Sequence, residues 1–271
     1  MRVFNNLNKL TVLLCLIVVM CVLVLCASCI CSKPVKRCTS ESFVSKSNNN
    51  HVIRIPKDSM GKYKTKPFQL LNGHASNSRT VAMLSYNDVG LKVNFSSNPA
   101  LHIIGKNPQL ECNGDLWKQE VCEIFIRPKH YDPEKYLEIE INPFGYLWVT
   151  MDTNKGCKRQ HGVPVKKIDC KDSNIQYFST LDASQNLWLS QIVLPWDLLK
   201  TQFHISGDAR PSQNSQMRNW MINMFCVRMK KNVEMCTNNS ECEFTAWSPT
   251  GKYEKPDFHQ CSAFREIELV E

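Results

Sequence analysis

Two side chains in the middle of the chain have the chemistry to hold a sugar. Glu123 is a carboxylate inside the otherwise apolar segment 121–126, and Trp117 lies in the polar stretch just before it. An indole ring offers an apolar surface for the face of a pyranose, and a carboxylate accepts hydrogen bonds from hydroxyl groups. Each residue also has a plainer interpretation, because a loop tryptophan is commonly a packing anchor and a strand glutamate commonly faces solvent. Together the pair predicts a carbohydrate site.

The sequence contains no pattern typical of catalysis. It lacks the nucleophile elbow, the zinc-protease helix, the phosphate-binding loop and the dinucleotide fingerprint. Glycoside hydrolysis needs two carboxylates at a set separation. Glu138 and Glu140 are candidates beside Glu123, but they share one strand face, which is more typical of a solvated edge. We therefore expect binding without catalysis, and an enzyme is the less favoured hypothesis.

The elements that position these residues are predicted to be strands. Side chains alternate between two faces through residues 121–126, 136–141 and 146–150, with a turn signal at 142–145. Six further segments are predicted strands, namely residues 80–86, 91–96, 177–181, 187–194, 220–229 and 264–270. One helical turn is predicted at 195–199. About nine short strands with little helix predict an all-β fold, an antiparallel β-sandwich of jelly-roll or immunoglobulin-like type.

Composition limits the class of protein. The chain has 271 residues and a net charge of +8 but no long run of lysine and arginine, so nucleic-acid binding is disfavoured. Its fourteen cysteines occur without paired C-x-x-C knuckles, which indicates a fold held by disulfides in an oxidising compartment. The predicted sandwich contains those at positions 112, 122, 157, 170, 226, 236, 242 and 261.

Proximity in sequence suggests two disulfides. Cys157 and Cys170 lie in one long polar segment, and Cys236 and Cys242 bracket a short loop. Sequence alone does not choose among the possible arrangements, so both pairs stay candidates. Trp188, Trp196 and Trp220 fall on predicted strands or on the helical turn and are expected to be core.

The chain begins with features of a secretory start. An uncharged apolar run covers residues 10–31 after Arg2 and Lys9, and it is long enough to span a bilayer. Residues 1–32 therefore correspond either to a signal peptide or to a signal-anchor transmembrane helix, and the charges that flank the run do not settle the orientation of the chain. Both hypotheses target the chain to the secretory pathway, and the cysteines favour an extracytoplasmic domain, secreted or held by a single membrane pass, over one that faces the cytosol.

The rest of the chain divides by composition. Residues 33–65 are rich in Ser, Asn and Lys and are predicted to be a polar linker, which leaves residues 66–271 for the folded domain. Asn94 and Asn238 begin N-glycosylation triplets in that domain. Glycosylation at these positions is expected only if the domain enters the secretory pathway.

Five blocks of residues resemble one known family when taken in order. They are 84–88 with 90–93; Trp117 with 123–126; 136–143 with Gly145; Trp188 with 192–196 and Leu199, then Trp220, Asn223, Phe225 and Arg228; and 247–249 with 256–259 and Phe264. Through these blocks the chain from about residue 80 to 269 resembles a family 9 carbohydrate-binding module, the kind attached to bacterial xylanases. The resemblance implies a β-sandwich that binds the ends of sugar chains, oligosaccharide or polysaccharide, without catalysis.

The resemblance also implies which residues hold the sugar. In the family two aromatic rings clamp a sugar ring; Trp117 stands at the first clamp position and Phe258 at the second, with His259 beside it. Glu123 and Asn142 match family residues that bond sugar hydroxyls. No organic cofactor is implied. Calcium occurs in family members, but the sequence does not identify ligands for it.

Two positions depart from the family pattern. Glu140 stands where sugar-binding members have an arginine two residues before the site asparagine, and Arg265 replaces a glycine after the last family phenylalanine. These departures leave open a sandwich that has lost its sugar and serves as a protein-interaction surface.

Two further functions are alternatives. A haem or redox module is one, because similar sandwiches bind iron through Met and His, and this chain has Met221, Met224, Met229, His204 and His259. A glycosidase, or a module associated with glycoside hydrolysis in carbohydrate catabolism, is the other. For that hypothesis Glu123 is the carboxylate to test.

Overall fold

The fold comes from a computed structural model, which describes residues 52–98, 111–157, 165–182, 184–231, 233, 235–252 and 254–271. The predicted signal peptide or anchor at 1–32, including the apolar run, lies outside the described residues. Within the described ranges no helix combines the length and apolar character needed to cross a membrane.

Two sheets contain the fourteen strands of the described part. The larger sheet contains β1 (Ile53–Pro56), β3 (Gln69–Leu70), β6 (Val121–Pro128), β7 (Lys135–Ile141), β8 (Leu147–Thr153), β9 (Lys166–Lys167), β12 (Asn219–Met229), β13 (Cys242–Ala246) and β14 (Arg265–Val270). The smaller sheet contains β2 (Tyr63–Lys64), β4 (Arg79–Tyr86), β5 (Gly90–Asn98), β10 (Gln176–Asp182) and β11 (Leu187–Pro195).

Short helices complete the described structure. An α-helix, α1, covers Trp196–Gln202 directly after β11. Single 3-10 turns occur at Asp58–Met60, Leu116–Lys118, Lys155–Cys157, Ser215–Met217 and Cys261–Ala263.

The larger sheet runs in the order β1-β14-β12-β6-β7-β8-β9, with β13 paired to β12 and β3 paired to β13. The smaller sheet runs β10-β11-β5-β4-β2. Among these pairs only β1 with β14 is parallel. The predicted β-sandwich is therefore confirmed, with one parallel edge pair added.

The alternation of side chains explains how the sheets pack. In β6 the side chains of Cys122, Ile124 and Ile126 join the core between the sheets, where they pack with residues of the smaller sheet such as Leu84 and Val93. The intervening side chains of β6 point to the opposite face of the sheet, as the period of two requires. One face of the larger sheet thus closes the core and the other is left for a different role.

The hairpin between β4 and β5 shows how sequence sets one turn. The Oδ1 atom of Asn87 accepts hydrogen bonds from the N–H groups of Val89, at 2.9 Å, and Gly90, at 3.1 Å. A Cβ atom at Gly90 would lie 2.2 Å from the carbonyl oxygen of Leu194. Only glycine therefore allows β5 to pair closely with β11 at this position.

All nine predicted strands are present, with ends that differ from prediction by at most a few residues. The predicted helical turn at 195–199 is the start of α1. Five short strands were not predicted: β1, β2, β3, β9 and β13. Four of these have two to four residues, too few for an alternating pattern to stand out from the surrounding polar sequence.

The sandwich extends into the segment assigned by composition to the linker. β1 pairs with the C-terminal strand β14, and β2 pairs with β4. Ile53 and Ile55 of β1 are buried. Part of the predicted linker, residues 53–65, therefore contributes strands to the fold, because two isoleucines suffice to anchor a short edge strand.

The three tryptophans expected in the core are buried there. Each indole N–H is satisfied: that of Trp188 donates to the Ser179 hydroxyl at 2.8 Å, and those of Trp196 and Trp220 donate to backbone carbonyls at 2.8 and 2.7 Å. Burial of such large side chains with their polar atom paired stabilises the sandwich strongly.

Four disulfides lie in the described part: Cys112–Cys170, Cys122–Cys226, Cys157–Cys261 and Cys236–Cys242. The predicted Cys236–Cys242 pair is confirmed, and the predicted Cys157–Cys170 pair is wrong. Residue 112 pairs with Leu147 in an isolated bridge, which places Cys112 beside Cys170 instead. Cys157 bonds Cys261. The same two segments are joined by a hydrogen bond that the side-chain amide of Asn154 donates to the carbonyl of His259 at 2.7 Å.

A buried ion pair joins Glu120, the residue before β6, to Arg228 of β12. Nη1 of Arg228 is 2.6 Å from Oε1 of Glu120, and both side chains are almost completely buried. Burial raises the pKa of Glu120 to about 7, although Arg228 and the backbone N–H of Met229 oppose the shift. Burial likewise lowers the pKa of Arg228. Each charge therefore offsets the free-energy cost of removing the other from water.

Candidate functional site

The predicted sugar residues lie on or beside the outer face of the larger sheet, which we define as the face turned away from the smaller sheet. Val121 and Phe125 of β6 belong to an apolar cluster on this face, separate from the core between the sheets. Glu123 lies between them in sequence and therefore points the same way. Strand alternation thus places Glu123 on the outer face.

Strand register arranges the outer face in rows. One row crosses four neighbouring strands in the order Phe225, Glu123, Glu140 and Trp148. The next row follows in the order Asn223, Phe125, Glu138 and Thr150. Residues directly opposite in neighbouring antiparallel strands have Cβ atoms about 5 Å apart. Glutamates on adjacent strands are consequently forced close together.

Four carboxylates of the outer face are buried, namely those of Glu123, Glu138, Glu140 and Asp152. One oxygen from each of Glu123, Glu138 and Glu140 lies within 4.8 Å of the others. Burial raises the pKa of Glu138 well above its ordinary value, and the neighbouring charges of Asp152, Glu140 and Glu123 raise it further. Glu138 therefore keeps its proton at pH values where a solvated glutamate is ionised.

A C-terminal segment covers part of this face. The ring of Phe258 stacks on that of Phe225 with centroids 4.4 Å apart, and only 8% of Phe258 is exposed. The imidazole of His259 lies 5.1 Å from the ring of Phe125, and its Nδ1 is 2.5 Å from the hydroxyl of Tyr136. The structure therefore brings Phe258 against the row that contains Glu123, and His259 against the next row, which contains Phe125.

Trp117 is the exposed aromatic ring of the predicted set, with 40% of its surface open to solvent. It lies on the 3-10 turn Leu116–Lys118, whose Leu116 is buried in the apolar cluster of the outer face. The N–H of Cys236 donates to the carbonyl of Lys118 at 2.7 Å. The turn is thus fixed at both sides of the ring, so Trp117 is presented on a rigid support.

Asn142 directly follows β7 and is buried, with 3% of its surface exposed. Its Oδ1 accepts hydrogen bonds from the N–H groups of Phe144 at 3.0 Å and Tyr146 at 2.9 Å. The side-chain oxygen therefore shapes the turn between β7 and β8, which is the plainer role that a turn asparagine usually has.

The predicted site residues thus occupy different depths. Glu123 and Phe258 lie at neighbouring positions of the outer face, and His259 lies on Phe125 and Tyr136 farther along it. Asn142 shapes the turn after β7, and Trp117 alone of these is exposed. Four residues outside the predicted set also lie on or against this face: Tyr136, Tyr146, Trp148 and Asp152. The alternation through 136–141 and 146–150 is the signal that could have found the first three, because it assigns them to the same face as Glu138 and Glu140.

The outer face also contains the groups that could hold a metal ion. Glu138, Asp152 and His259 form one set, and Glu123, Glu138 and Glu140 form another, each with ligand atoms within 4.8 Å of one another. Calcium takes oxygen ligands, so the second set has the chemistry that the calcium hypothesis needs. Calcium binding by these residues stays a prediction.

The methionines and histidines of the haem hypothesis are not gathered at one place. Met224 belongs to the core between the sheets, whereas Met221 and Met229 pack on the outer-face cluster. His204 is exposed in the turn after α1. The strand therefore separates Met224 from Met221 and Met229, while His259 lies on the outer face. Haem binding stays a prediction.

The two predicted glycosylation asparagines lie in different settings. Asn238 is exposed in the loop closed by Cys236 and Cys242. Asn94 lies within β5, where its Oδ1 accepts a hydrogen bond from Gln191 at 2.7 Å. An exposed loop suits a glycan better than a side chain paired inside a sheet, and glycosylation at either position stays a prediction.

No family model matches the chain. An extracellular protein of Arthroderma benhamiae is 26% identical over 195 residues, which cover 71% of this chain and 79% of that protein. A proposed carbohydrate-binding protein of Bacteroides uniformis has a matching structure with a TM-score of 0.56 at 15% identity, covering 81% of this chain and 97% of that one. This likeness shows a shared β-sandwich fold.

A family 9 carbohydrate-binding module of Caldicellulosiruptor kristjanssonii also matches, in complexes with cellotriose and with glucose. Both matches have a TM-score of 0.44 and 10% identity over 81% of this chain. They cover 93% and 96% of the module chains, respectively.

Proposed function

We propose that the domain binds carbohydrate without catalysis, at the Trp117 side of the outer face. The observation that carries the proposal is a tryptophan ring 40% open to solvent on a support fixed by a buried leucine and a backbone hydrogen bond. An indole ring on a rigid support offers an apolar face that matches a pyranose ring in size.

The polar part of the site follows from its neighbours. Glu123 and Asn142 are the groups that would bond sugar hydroxyls. Phe258 stacks on Phe225, which lies opposite Glu123, whereas His259 lies toward the other end of β7 from Asn142. Because Glu123 and Asn142 are nearly fully buried, direct contact with a hydroxyl requires the side chains above them to move when the sugar binds. Side-chain rearrangement of this kind is common at binding surfaces.

The affinity should be modest. One stacking contact and a few hydrogen bonds, offset by the cost of reorganising side chains, correspond to dissociation constants from about micromolar to about millimolar. Retention of the domain on a polysaccharide would then come from the many binding positions that one polymer offers. The ligand that fits the proposal is an oligosaccharide or polysaccharide.

The four disulfides assign folding of the domain to an oxidising compartment. We propose that it acts outside the cytoplasm, as the extracellular description of its relative from Arthroderma benhamiae also suggests. Residues 1–32 determine whether the chain is secreted or anchored. Sequencing the N-terminus of the protein recovered from the medium or from membranes would show whether this segment is cleaved.

A glycan array probed with the purified protein tests the proposal. The wild type should bind a defined group of glycans, and Trp117→Ala should lose that binding while remaining folded. Phe178→Ala is the matched control, since Phe178 is an equally exposed aromatic residue on the smaller sheet. A folded wild type that binds no glycan, or a Trp117→Ala variant that binds the same ones, would contradict it.

The same preparation separates the alternatives. Release of reducing sugar from polysaccharides, abolished by Glu123→Gln, would indicate hydrolysis by the outer-face carboxylates. We expect no release, because these carboxylates are buried and Glu138 keeps its proton among like charges. A Soret band in the purified protein would favour the haem hypothesis, and we expect none.

A further inference from the structure

A second cavity lies away from the outer-face site. It has a volume of about 630 Å³ and is bordered by β2, β3, β4, the segment after β13 and the start of β14. Cavities that bind small organic ligands usually have volumes of about 300–1,000 Å³. None of the residues assigned to the Trp117 site lines this cavity.

Two aromatic side chains form one wall of the cavity. The rings of Tyr63 and Trp247 meet edge to face, with centroids 6.3 Å apart. The guanidinium of Arg265 lies 5.5 Å from the centroid of the Trp247 ring. This distance is within the range of a cation–π contact, which favours a position of the guanidinium beside the cavity.

Three cations line the same cavity: Lys66, Arg79 and Arg265. Some cations of the fold have a carboxylate partner, as Lys92 has Asp58 and Lys129 has Glu266. Among the described residues these three have no carboxylate within ion-pair distance. A cleft lined by charges of one sign concentrates its potential and attracts an oppositely charged ligand.

One buried carboxylate, Glu243, contacts two residues that line the cavity. Glu243 accepts hydrogen bonds from the hydroxyls of Ser76 and Ser78, both at 2.5 Å, and from the N–H of Ser78 at 3.1 Å. Burial alone would raise the pKa of Glu243, but these bonds outweigh it and leave the pKa below its ordinary value. Glu243 is therefore ionised and offsets part of the positive charge, but three cations face one carboxylate, so the cavity keeps an excess of positive charge.

We propose that this cavity binds an acidic sugar residue, with Lys66, Arg79 and Arg265 holding its anionic group and the Tyr63–Trp247 wall contacting its ring. The sugar part of this inference rests on the proposed carbohydrate function, whereas the anionic part rests on the cavity alone. Arginine forks match the geometry of both carboxylate and sulfate groups. The ligand is thus a uronate-bearing or a sulfated saccharide.

Calorimetric titration of the full chain tests the proposal with three tetrasaccharides: oligogalacturonate for carboxylate, a heparin-derived fragment for sulfate, and cellotetraose as the neutral probe. The wild type should bind at least one acidic probe. Lys66→Gln/Arg79→Gln should weaken that binding about tenfold or more. Lys64→Gln is the matched control, because Lys64 is exposed on β2 and lies outside the cavity.

Salt and the first site provide further checks. Raising ionic strength from about 0.15 M to about 1 M shortens the Debye length from about 8 Å to about 3 Å, so acidic probes should bind more weakly at high salt. Trp117→Ala should leave their binding unchanged, which separates this site from the Trp117 site even if no neutral glycan binds. Absence of binding by both acidic probes overturns the proposal, as does a double variant that binds them like the wild type.

Discussion

Glu123 and Glu140 lie directly opposite one another on β6 and β7, both buried on the outer face. Like charges in this position repel and destabilise a sheet. Glu138 and Asp152 add two more buried carboxylates to this face. Burial, and after it the charges of Asp152, Glu140 and Glu123, raises the pKa of Glu138, so Glu138 retains its proton.

The acidic cluster predicts how stability varies with pH. The pKa of Glu138 is raised in the folded state, so the folded protein holds a proton that the unfolded chain releases above pH 4.5. Stability should therefore be complete at low pH and fall as pH rises, by up to about 1.4 kcal/mol per pH unit until the folded-state pKa is reached. Glu138→Gln should flatten this decline.

Urea unfolding of wild type and Glu138→Gln between about pH 5 and about pH 8 measures this effect. The variant should gain stability relative to the wild type as pH rises. Glu254→Gln, which alters an exposed glutamate, should show the wild-type slope. Identical slopes for wild type and Glu138→Gln would mean that the cluster is already neutralised by another route.

The buried ion pair predicts a large loss of stability. Arg228→Met removes the cation that faces Glu120, and an uncompensated buried charge costs about 3–5 kcal/mol. Because burial already raises the pKa of Glu120 to about 7, the variant should be least impaired at acid pH. Unfolding by guanidinium chloride measures the loss.

The double variant Glu120→Gln/Arg228→Met is the control for that experiment, since it removes both charges. It should recover part of the stability lost in Arg228→Met. If Arg228→Met is as stable as the wild type at neutral pH, the ion pair contributes little and the account of this part of the fold is incorrect.

The disulfides should differ in their contribution. The bond Cys157–Cys261 closes a separation of 104 residues and ties down the segment that carries Phe258 and His259. Loop-closure entropy gives it about 4.7 kcal/mol, against about 2.2 kcal/mol for Cys236–Cys242, which closes a separation of six residues. Paired serine variants compared by thermal unfolding should follow this order, and a reversed order would show that native-state strain decides instead.

Strand alternation made the fold predictable, because each of the nine longer segments had enough residues to show its period. The same pattern assigned Glu123, Glu138 and Glu140 to one face. It could not tell that this face is covered, since the covering residues Phe258 and His259 come from the far end of the chain. Burial of Glu123 is thus a tertiary property without a local signal.

Cysteine pairing and the second cavity were unpredictable for the same reason. Cys112 and Cys170 approach each other only after β8 brings Leu147 between them. Lys66, Arg79 and Arg265 are far apart in sequence and meet where β4, β14 and the stretch before β3 converge. Sequence analysis noted Arg265 as a departure from the family pattern but gave it no position in space.

Trp117 is central to the account, and its contribution is best measured as an affinity. Calorimetric titration with the strongest glycan from the array should give a dissociation constant between about micromolar and about millimolar for the wild type. Trp117→Ala should bind at least about tenfold more weakly, and Phe178→Ala should stay within about twofold of the wild type. Equal affinity of Trp117→Ala and wild type for that glycan would contradict the account.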